Sequence, residues 1–412
     1  MIAALERAGW SLAPGPSEAE VLIVNTCGFI SSAKTESIET GLELKARHPS
    51  KKVIMVGCLS ERYGAELGRE LPEIDGFLGN RDPARIVEMV EGRAPGGGPA
   101  TLQERPYDRS RLLSFPGSAY VKIAEGCANR CTYCAIPLIR GDLASREPAE
   151  ILSEIRSLLG RGIRELIFIA QDLGSYGKDR GEAGLPRLLS EISSLKGDFW
   201  IRLLYIHPDH FPREIIGIAA ADHRILPYFD LPFQHASPGI LRAMGRRGEP
   251  ERNLDLLSEI RGRLPGAVLR STFLVGFPGE TASDFEQLLD FQERAKLDWL
   301  GVFTWSREED TPAYGMPGRV PRAAAEGRKG EVERRQEPIT ARALDGHVGK
   351  TLDVLVEERV QGDELSIGRA YLQAPDVDGL VVVRRGLAPG SVERVRITRR
   401  NGVDLEGVVP GG

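Results

Sequence analysis

The sequence predicts an α/β protein made of an amino-terminal parallel α/β domain, a central partial (β/α)6 barrel and a small carboxy-terminal antiparallel β-barrel. Three observations predict this fold class. Strand-like and helix-like segments alternate through residues 1–93, six apolar strand candidates alternate with helical segments from residue 118 onward, and short strands follow from about residue 345. The first two patterns indicate parallel sheets covered by helices, and the third is typical of a small barrel.

The first domain, predicted over residues 1–93, has its strand candidates in VLIVN, KVIMVG and GFLGN. Helical segments lie between them, so the alternation predicts a βαβαβα order with parallel strands. Cys27 follows the first strand candidate and Cys58 follows the second. Because open α/β sheets bind ligands at the carboxyl ends of their strands, we expect both thiols at one edge of the sheet.

The central domain is predicted over residues 118–340, after a turn-rich linker over 94–117 that contains APGGGPA. Its strand candidates recur about every 25 to 45 residues. Pro148 and Gly160 mark the start and the end of one helix between them. Six units are fewer than the eight of a closed barrel, so the sequence predicts an open barrel with room for a large substrate.

The terminal barrel is predicted over residues 345–412. Its strand candidates are TLDVLVEE, ELSIGRAY, GLVVVRR, SVERVRITRR and DLEGVVP. Glycine and proline separate these short segments, and the pattern favours a small antiparallel barrel.

Composition narrows the class of protein. No run of about 18 apolar residues is present to span a bilayer, and the opening MIAALERAGW lacks the features of a signal peptide. We therefore expect a soluble, cytoplasmic protein with no membrane partner. The five cysteines are odd in number and clustered, which favours metal or redox chemistry over a disulfide framework. A net charge of -5 argues mildly against nucleic acid as the main partner.

The segment EGCANRCTYCAIPLIRG contains three of the five cysteines. It places Cys127, Cys131 and Cys134 in a C-x3-C-x2-C spacing directly after a strand candidate. Cysteine thiolates are the ligands of iron–sulfur clusters, and three thiolates leave one iron of a four-iron cluster open to bind and activate a ligand. A structural zinc site would need a fourth ligand from elsewhere in the chain, and an inert trio of buried thiols is the other alternative.

This loop resembles that of the radical S-adenosylmethionine (SAM) superfamily, and Tyr133 before the last cysteine adds to the resemblance. Other segments are similar to the methylthiotransferase family within that superfamily: NTCGFI, VGCLSERY, AQDLGSYG, LPFQHAS, FLVGFPGET and WSREEDTPAY. Together they cover almost all of the chain. The resemblance implies a transferase with an α/β amino-terminal domain, a radical SAM barrel and a terminal β-barrel of the TRAM type.

The resemblance also implies two [4Fe-4S] clusters. Cys127, Cys131 and Cys134 would hold the first, whose open iron chelates SAM, and electrons from an external donor would then yield a 5′-deoxyadenosyl radical. Three cysteines of the first domain would hold the second cluster, through which sulfur reaches the substrate. Cys27 and Cys58 match two of these ligands. The third matching position would precede Met1, so we expect either a start upstream of Met1 or a second cluster with two protein thiolates.

Further residues are candidates for contact with SAM. They are Tyr133, Gln171, Asp172, Gly276, Gly279 and Glu280. For the Gln171–Asp172 pair the alternative is a polar strand end that caps the next helix, and for the glycine-rich turn it is turn geometry alone. His235 is a candidate for a cavity or a core position, while His207 and His210 are expected to be ordinary loop residues.

Two substrates are known in the family: an adenosine of transfer RNA, and an aspartate β-carbon of small-subunit ribosomal protein twelve. Asp376 and Asp378 share one loop of the terminal barrel, and other acidic residues precede them: Glu357, Glu358, Asp363 and Glu364. Such a surface would repel RNA and attract a basic protein, free or on the ribosome. The sequence therefore favours the ribosomal protein, with transfer RNA as the alternative. A rival from another class is a non-catalytic iron–sulfur protein that binds a ribosome or RNA.

Overall fold

A computed structural model describes residues 1–81, 83–93, 112, 114–181 and 184–411. Most of the predicted linker, 94–117, lies outside these residues. The chain divides into two compact units. The first unit consists of Met1–Leu113, Thr132–Asp142 and Ser306–Tyr314, and the second consists of Ser114–Cys131, Leu143–Trp305 and Gly315–Gly412. The first unit thus includes two segments that lie far beyond the predicted first domain.

The first unit is built on a parallel sheet in the order β1-β2-β3. Its elements are α1 (Ile2–Arg7), β1 (Val21–Thr26), α2 (Ser31–Arg47), β2 (Lys52–Gly57), α3 (Cys58–Glu70), β3 (Gly76–Leu78), α4 (Ile86–Val90) and α5 (Ile136–Arg140). Alternate residues of β2 pack into two different hydrophobic cores. Val53 and Met55 belong to one core, and Ile54 and Val56 belong to the other. A strand buried on both faces reads as a continuous apolar run, as KVIMVG does.

The second unit contains a six-stranded sheet in the order β4-β7-β8-β9-β10-β11, and every neighbouring pair is parallel. The strands are β4 (Ser118–Lys122), β7 (Glu165–Ile169), β8 (Trp200–Leu203), β9 (Ile225–Asp230), β10 (Val268–Val275) and β11 (Trp299–Thr304), with a short pair β5 (Ala124–Glu125) and β6 (Ala144–Ser145). The predicted open barrel of six strands is confirmed.

Helices connect these strands. They are α6 (Pro148–Gly160), α7 (Gly184–Ser193), α8 (Glu214–Ala221), α9 (Pro238–Ala243), α10 (Pro250–Arg263), α11 (Ala282–Ala295) and α12 (Arg322–Asp345). The helix α6 begins and ends at the predicted proline and glycine. The helix α11 begins with a capping box, in which Thr281 and Asp284 satisfy each other's backbone N–H groups. No described helix is both apolar enough and long enough to cross a membrane.

The terminal barrel, also in the second unit, contains all five predicted strands. They are β12 (Thr351–Arg359), β13 (Ser366–Arg369), β14 (Val381–Val383), β15 (Val392–Asn401) and β16 (Asp404–Val408), and they close in the order β12-β13-β14-β16-β15. Four pairings are antiparallel. The pairing of β14 with β16 is parallel, because the chain crosses the barrel through β15 before it returns beside β14.

A buried ion network fixes the terminal barrel to the sheet. Glu165, the first residue of β7, is fully buried and accepts hydrogen bonds from Arg202 Nε at 2.7 Å and from Arg369 Nη2 at 2.6 Å. Arg369 also binds Glu357 Oε1 at 2.6 Å. Burial alone would raise the pKa of Glu165, but the two guanidinium groups outweigh it and lower that pKa. The network therefore holds a charged carboxylate in the interior.

Two residues of the predicted acidic surface are not on the surface. The Asp378 side chain is 1% exposed, and it accepts hydrogen bonds from Tyr228 Oη at 2.5 Å and from Ala374 N at 2.8 Å. Glu357 is buried against Arg369. The prediction that Asp378 contributes to a substrate surface is wrong, because its carboxylate binds groups inside the second unit. Asp376 is exposed.

We expect Arg369→Met to destabilise the protein by about 3–5 kcal/mol, since it leaves two buried carboxylates without their shared cation. Urea unfolding at neutral pH measures this change. The control is Arg384→Met, whose side chain is 58% exposed in its pair with Glu406, and we expect it to cost less than about 1 kcal/mol.

Acid gives an independent check of the same network. A carboxyl whose pKa is lowered by folding stabilises the protein above its unfolded pKa, and this contribution is lost as the pH falls through the folded value. The stability difference between the parent and Glu165→Gln should therefore shrink below about pH 4.5, the ordinary value for this carboxyl. A difference that is constant from neutral pH into acid would contradict the ionised network.

Candidate functional site

Cys27 and Cys58 follow two strand ends that are paired in the first unit. The register of β1 and β2 pairs Thr26 with Gly57, so each cysteine comes directly after one member of that pair. Cys27 is exposed and Cys58 is partly buried. The parallel sheet thus delivers both thiols to its carboxyl edge.

Two glycines allow the backbones around these cysteines to approach closely. A Cβ on Gly28 would lie 2.7 Å from Cys58 O, and a Cβ on Gly57 would lie 2.5 Å from Thr26 O. Gly57 also has φ +129°, a conformation that residues with a side chain rarely adopt. The glycines of NTCG and VGC therefore leave no room for a side chain, because an added methyl group would collide with backbone atoms.

Two polar side chains contact the sulfur of Cys58, and a hydroxyl group fixes the backbone of Cys27. Arg140 Nη2 lies 3.2 Å from Cys58 Sγ, and Asn80 Nδ2 lies 3.4 Å from it. The backbone N–H of Cys27 donates to Ser37 Oγ at 3.1 Å. Neither donor to Cys58 was predicted from the sequence. Arg140 lies inside the quoted cysteine segment, but its spacing from Cys58 along the chain gave no signal of contact.

The segment 306–314 belongs to the first unit through a buried carboxylate. Glu308 accepts hydrogen bonds from Lys34 Nζ at 2.8 Å and from Arg62 Nη1 at 3.0 Å. Burial raises the pKa of Glu308, and these cations more than compensate, so that the pKa is lowered. Arg62 Nη1 also lies 3.4 Å from Gly28 O, next to Cys27. Sequence analysis noted this segment only as part of a family resemblance.

The three-cysteine loop contributes to both units. Cys127 and Cys131 lie in the second unit, whereas Tyr133 and Cys134 lie in the segment that the first unit includes. Cys127 is buried, and burial raises the pKa of its thiol, while hydrogen bonds from Asn129 lower it. Tyr133 and Cys134 are both partly buried.

Asn129 anchors the loop in the second unit. Its Nδ2 donates to Asp172 Oδ2 at 3.0 Å, and its Oδ1 lies 2.9 Å from His210 Nε2. The loop also packs onto Gly245, where a Cβ would lie 2.7 Å from Arg130 O. Both contacts fix the backbone between Cys127 and Cys131.

Asp172 is surrounded by donors from the protein itself. Its Oδ1 accepts from Gly174 N and His207 N, both at 3.0 Å, and its Oδ2 accepts from Ser175 Oγ at 2.6 Å. The side chain caps the short 3-10 helix Leu173–Ser175, as the alternative interpretation expected. It also supports Asn129, so its observed contacts position the cysteine loop.

Gln171 lies beside the same loop. Its Nε2 donates to Glu125 Oε1 at 3.3 Å, and Lys122 Nζ contacts Glu125 Oε2 at 2.5 Å. Glu125 comes two residues before Cys127. The carboxyl end of β4 therefore carries a polar cluster next to the cysteine loop.

The glycine-rich turn after β10 is shaped by its backbone. Gly276 and Gly279 have φ values of +75° and +86°. The Glu280 side chain is fully buried, its Oε2 accepts from Phe277 N at 3.0 Å, and its Oε1 lies 2.8 Å from Arg328 Nη1. These contacts support a turn requirement for the glycines, and contact with SAM stays a prediction for all three residues.

One histidine matches one of its two predicted roles, and two others differ from theirs. The His235 side chain is fully buried and its Nδ1 accepts from Ser237 N at 3.0 Å, which makes it a core residue. His207 is buried, and burial together with the charge of Arg246 lowers its pKa to about 2. With His210 it packs behind the cysteine loop, so the prediction of ordinary loop residues is wrong for this pair.

The thiols fit an iron–sulfur cluster by their chemistry. Among the described residues, no group of three or more histidine, cysteine, aspartate or glutamate side chains is already arranged to hold a metal ion. Thiolates are nevertheless the donors that iron–sulfur clusters use. Cys131 lies close enough to Cys127 for its charge to raise the Cys127 pKa, and Cys134 follows within the same loop. Binding would require the three to converge.

Comparisons with known proteins point to one family. Residues 121–291 match the Radical SAM superfamily, residues 348–409 match the TRAM domain, and residues 1–79 match the uncharacterized protein family UPF0004. The ribosomal protein uS12 methylthiotransferase RimO of Treponema denticola is 43% identical over 99% of this chain and 96% of its own length. The protein of the same name from Pelotomaculum thermopropionicum is 42% identical over 99% of this chain and 94% of its own.

A solved structure shows a similar fold. The radical S-adenosylmethionine methyltransferase TsrM of Kitasatospora setae, with cobalamin and a [4Fe-4S] cluster bound, matches with a TM-score of 0.58. The match is 17% identical and covers 76% of this chain and 70% of TsrM. At this identity the likeness extends to the fold alone.

We expect Gly28→Ala to lower the free energy of unfolding by at least about 1 kcal/mol, since the added methyl must displace the backbone of Cys58. Thermal unfolding of the purified chain measures this. The control is Gly262→Ala in α10, where no atom lies within 4 Å of the new Cβ and a gain in stability of about 0.5–1 kcal/mol is expected. Equal effects of the two substitutions would contradict the close approach at Cys58.

We expect Asp172→Asn to cost about 1–3 kcal/mol, because the new amide group faces donors that lose their acceptor. It should also lower the iron bound after anaerobic reconstitution, since Asn129 loses its anchor. Urea unfolding and iron analysis measure the two effects. Asp198→Asn changes an exposed carboxylate and serves as the control. If the Asp172→Asn protein is destabilised but binds a normal amount of iron, Asp172 does not position the cysteine loop for iron binding.

Proposed function

The chain belongs to the radical SAM methylthiotransferase family, and within it we propose that this protein adds a methylthio group to the β-carbon of an aspartate in ribosomal protein uS12. The observation that carries the proposal is the 43% identity to a uS12 methylthiotransferase over 99% of the chain. The order of matched regions supports the same activity, because the UPF0004, Radical SAM and TRAM regions follow one another along the chain. The protein is a transferase that uses iron–sulfur and SAM chemistry.

We propose that Cys127, Cys131 and Cys134 hold the cluster that binds SAM. When bound, this cluster would supply the electron for cleavage of SAM into methionine and a 5′-deoxyadenosyl radical, which would take a hydrogen atom from the β-carbon. Asn129 and Asp172 hold the backbone between the first two cysteines. Contacts of SAM with Tyr133, Gln171, Asp172, Gly276, Gly279 and Glu280 belong to the proposal.

A second [4Fe-4S] cluster at Cys27 and Cys58 is the finer part of the proposal. Two observations support it: the thiols follow paired strand ends, and Gly28 and Gly57 let the backbones beside the two cysteines approach closely. Arg140 and Asn80 add donors that suit an anionic sulfur ligand. The methylthio group would arrive from this site, with one SAM as methyl donor and another as the radical source.

The choice of uS12 over transfer RNA rests on the relatives more than on charge. Three residues of the predicted acidic surface are exposed: Asp376, Glu358 and Asp363. Asp378 and Glu357 have buried side chains and cannot contact a substrate. Exposed arginines also lie on β15, at Arg394 and Arg396. The exposed surface of the barrel therefore carries both negative and positive charges, and its charge alone does not select the substrate. Action on uS12, in the cytoplasm and free or on the ribosome, with an external electron donor, is our proposal.

We expect the anaerobically reconstituted chain, given a reductant and SAM, to form 5′-deoxyadenosine and to methylthiolate a uS12 peptide that contains the target aspartate. Mass spectrometry of the peptide and chromatography of the nucleoside measure the two products. Cys131→Ser should abolish both, because it removes a cluster ligand. Methylthiolation of transfer RNA in place of the peptide would establish the alternative substrate. Iron binding without any cleavage of SAM would favour a non-catalytic iron–sulfur protein.

A further inference from the structure

Arg140 contacts the sulfur of Cys58 and lies in the short helix that follows the three-cysteine loop. Arg140 is the last residue of α5, which begins two residues after Cys134, and its Nη2 lies 3.2 Å from Cys58 Sγ. Cys134, Arg140 and Cys58 all belong to the first unit. A single short helix therefore links a proposed ligand of the radical cluster to a proposed ligand of the second cluster.

A second donor approaches the same sulfur from within the first unit. Asn80 Nδ2 lies 3.4 Å from Cys58 Sγ, and its backbone N–H is fixed to Glu61 Oε2 at 3.0 Å. An arginine can only donate, and donors favour a sulfur that carries negative charge. Two donors from the protein thus meet at Cys58 Sγ, as hydrogen bonds to the ligand sulfurs of iron–sulfur clusters do.

A separate set of contacts joins the same two stretches of chain. Ala313 N donates to Thr132 O at 2.9 Å, between Cys131 and Cys134. The same segment carries Glu308, which binds Arg62, and Arg62 reaches Gly28 O beside Cys27. These contacts join the Cys134 segment to the Cys27 loop, in addition to the contact of Arg140 with Cys58 Sγ.

We propose that Arg140, assisted by Asn80, is a positioning residue that ties the Cys134 segment to Cys58 and sets the reduction potential of the iron–sulfur site at Cys58. Hydrogen bonds to ligand sulfurs are among the factors that tune such potentials, and a cation beside the ligand stabilises the reduced, more negative state. The contact also couples radical formation to sulfur delivery, because displacement of Cys58 pulls on the helix that follows Cys134. This inference rests on the second cluster of the proposed function.

The first test isolates the second site. In the full chain with Cys127, Cys131 and Cys134 all changed to alanine, any remaining iron–sulfur signal belongs to Cys27 and Cys58. Arg140→Met in this background should shift the reduction potential to a more negative value and change the electron paramagnetic resonance spectrum of the reduced site. Arg140→Lys should restore part of the shift, since it keeps the charge. Asn80→Asp should shift the potential in the same direction as Arg140→Met.

The matched control is Arg69→Met. Arg69 is exposed on α3 and its Nε donates to Ala65 O within its own helix, so its removal should leave both the potential and the spectrum unchanged. Unfolding temperatures of all variants show whether a change in stability accompanies the shift. A shift at unchanged unfolding temperature identifies a role at the sulfur.

The second test measures coupling in the chain with all five cysteines. Arg140→Met should raise the amount of 5′-deoxyadenosine formed per methylthiolated peptide by about tenfold, the factor expected for loss of one charge-assisted hydrogen bond. A general loss of folded enzyme would lower both products together and leave their ratio unchanged. The ratio therefore distinguishes a coupling role from a structural one.

The outcomes separate this inference from the proposed function. If the parent methylthiolates the uS12 peptide while Arg140→Met matches Arg69→Met in potential and product ratio, the inference is overturned and the function stands. If the alanine variant holds no iron, the inference is also overturned, and cleavage of SAM by the parent still tests the radical chemistry. If the parent cleaves SAM but never modifies uS12, the proposed function fails, whereas a shifted potential would still support Arg140.

Discussion

The pairing of Thr26 with Gly57 is the constraint that brings Cys27 and Cys58 to the same edge of the first unit's sheet. A parallel register places equivalent positions of neighbouring strands side by side, so the residues that follow them must leave the sheet together. That geometry delivers Cys27 and Cys58 to one edge only if their backbones can approach. Gly28 and Gly57 make the approach possible, because a Cβ at either position would collide with backbone atoms.

Buried charge plays a different part in the second unit. Glu165 is surrounded by Arg202 and Arg369, and the second of these belongs to the terminal barrel. Such networks add little net stability over apolar packing, but breaking one is costly, so they penalise any other placement of the parts they join. The aspartate at 378 acts in the same way through Tyr228. Residues that look like a binding surface in the sequence thus hold the barrel on the sheet.

The sequence predicted the fold well because periodicity carries it. The apolar run KVIMVG predicted a strand, and Pro148 and Gly160 predicted the two ends of a helix. The observed elements agree with both predictions. The failures share one cause, since charge and histidine patterns do not reveal partners that are distant along the chain. Asp378 binds Tyr228, 150 residues away, and His207 owes its lowered pKa to burial and to Arg246. The contact of Arg140 with Cys58 Sγ could not be predicted either, because the two residues lie 82 positions apart in the sequence.

The makeup of the first unit connects these points to catalysis. Two segments, 132–142 and 306–314, join it from far along the chain. The entropic cost of such long closures grows only slowly, by about 0.6 kcal/mol for each doubling of length, so a few specific contacts can hold them. Glu308 supplies such contacts with Lys34 and Arg62. The fold therefore fixes the Cys134 segment and the Cys58 loop within one unit, through contacts between residues that are distant along the chain.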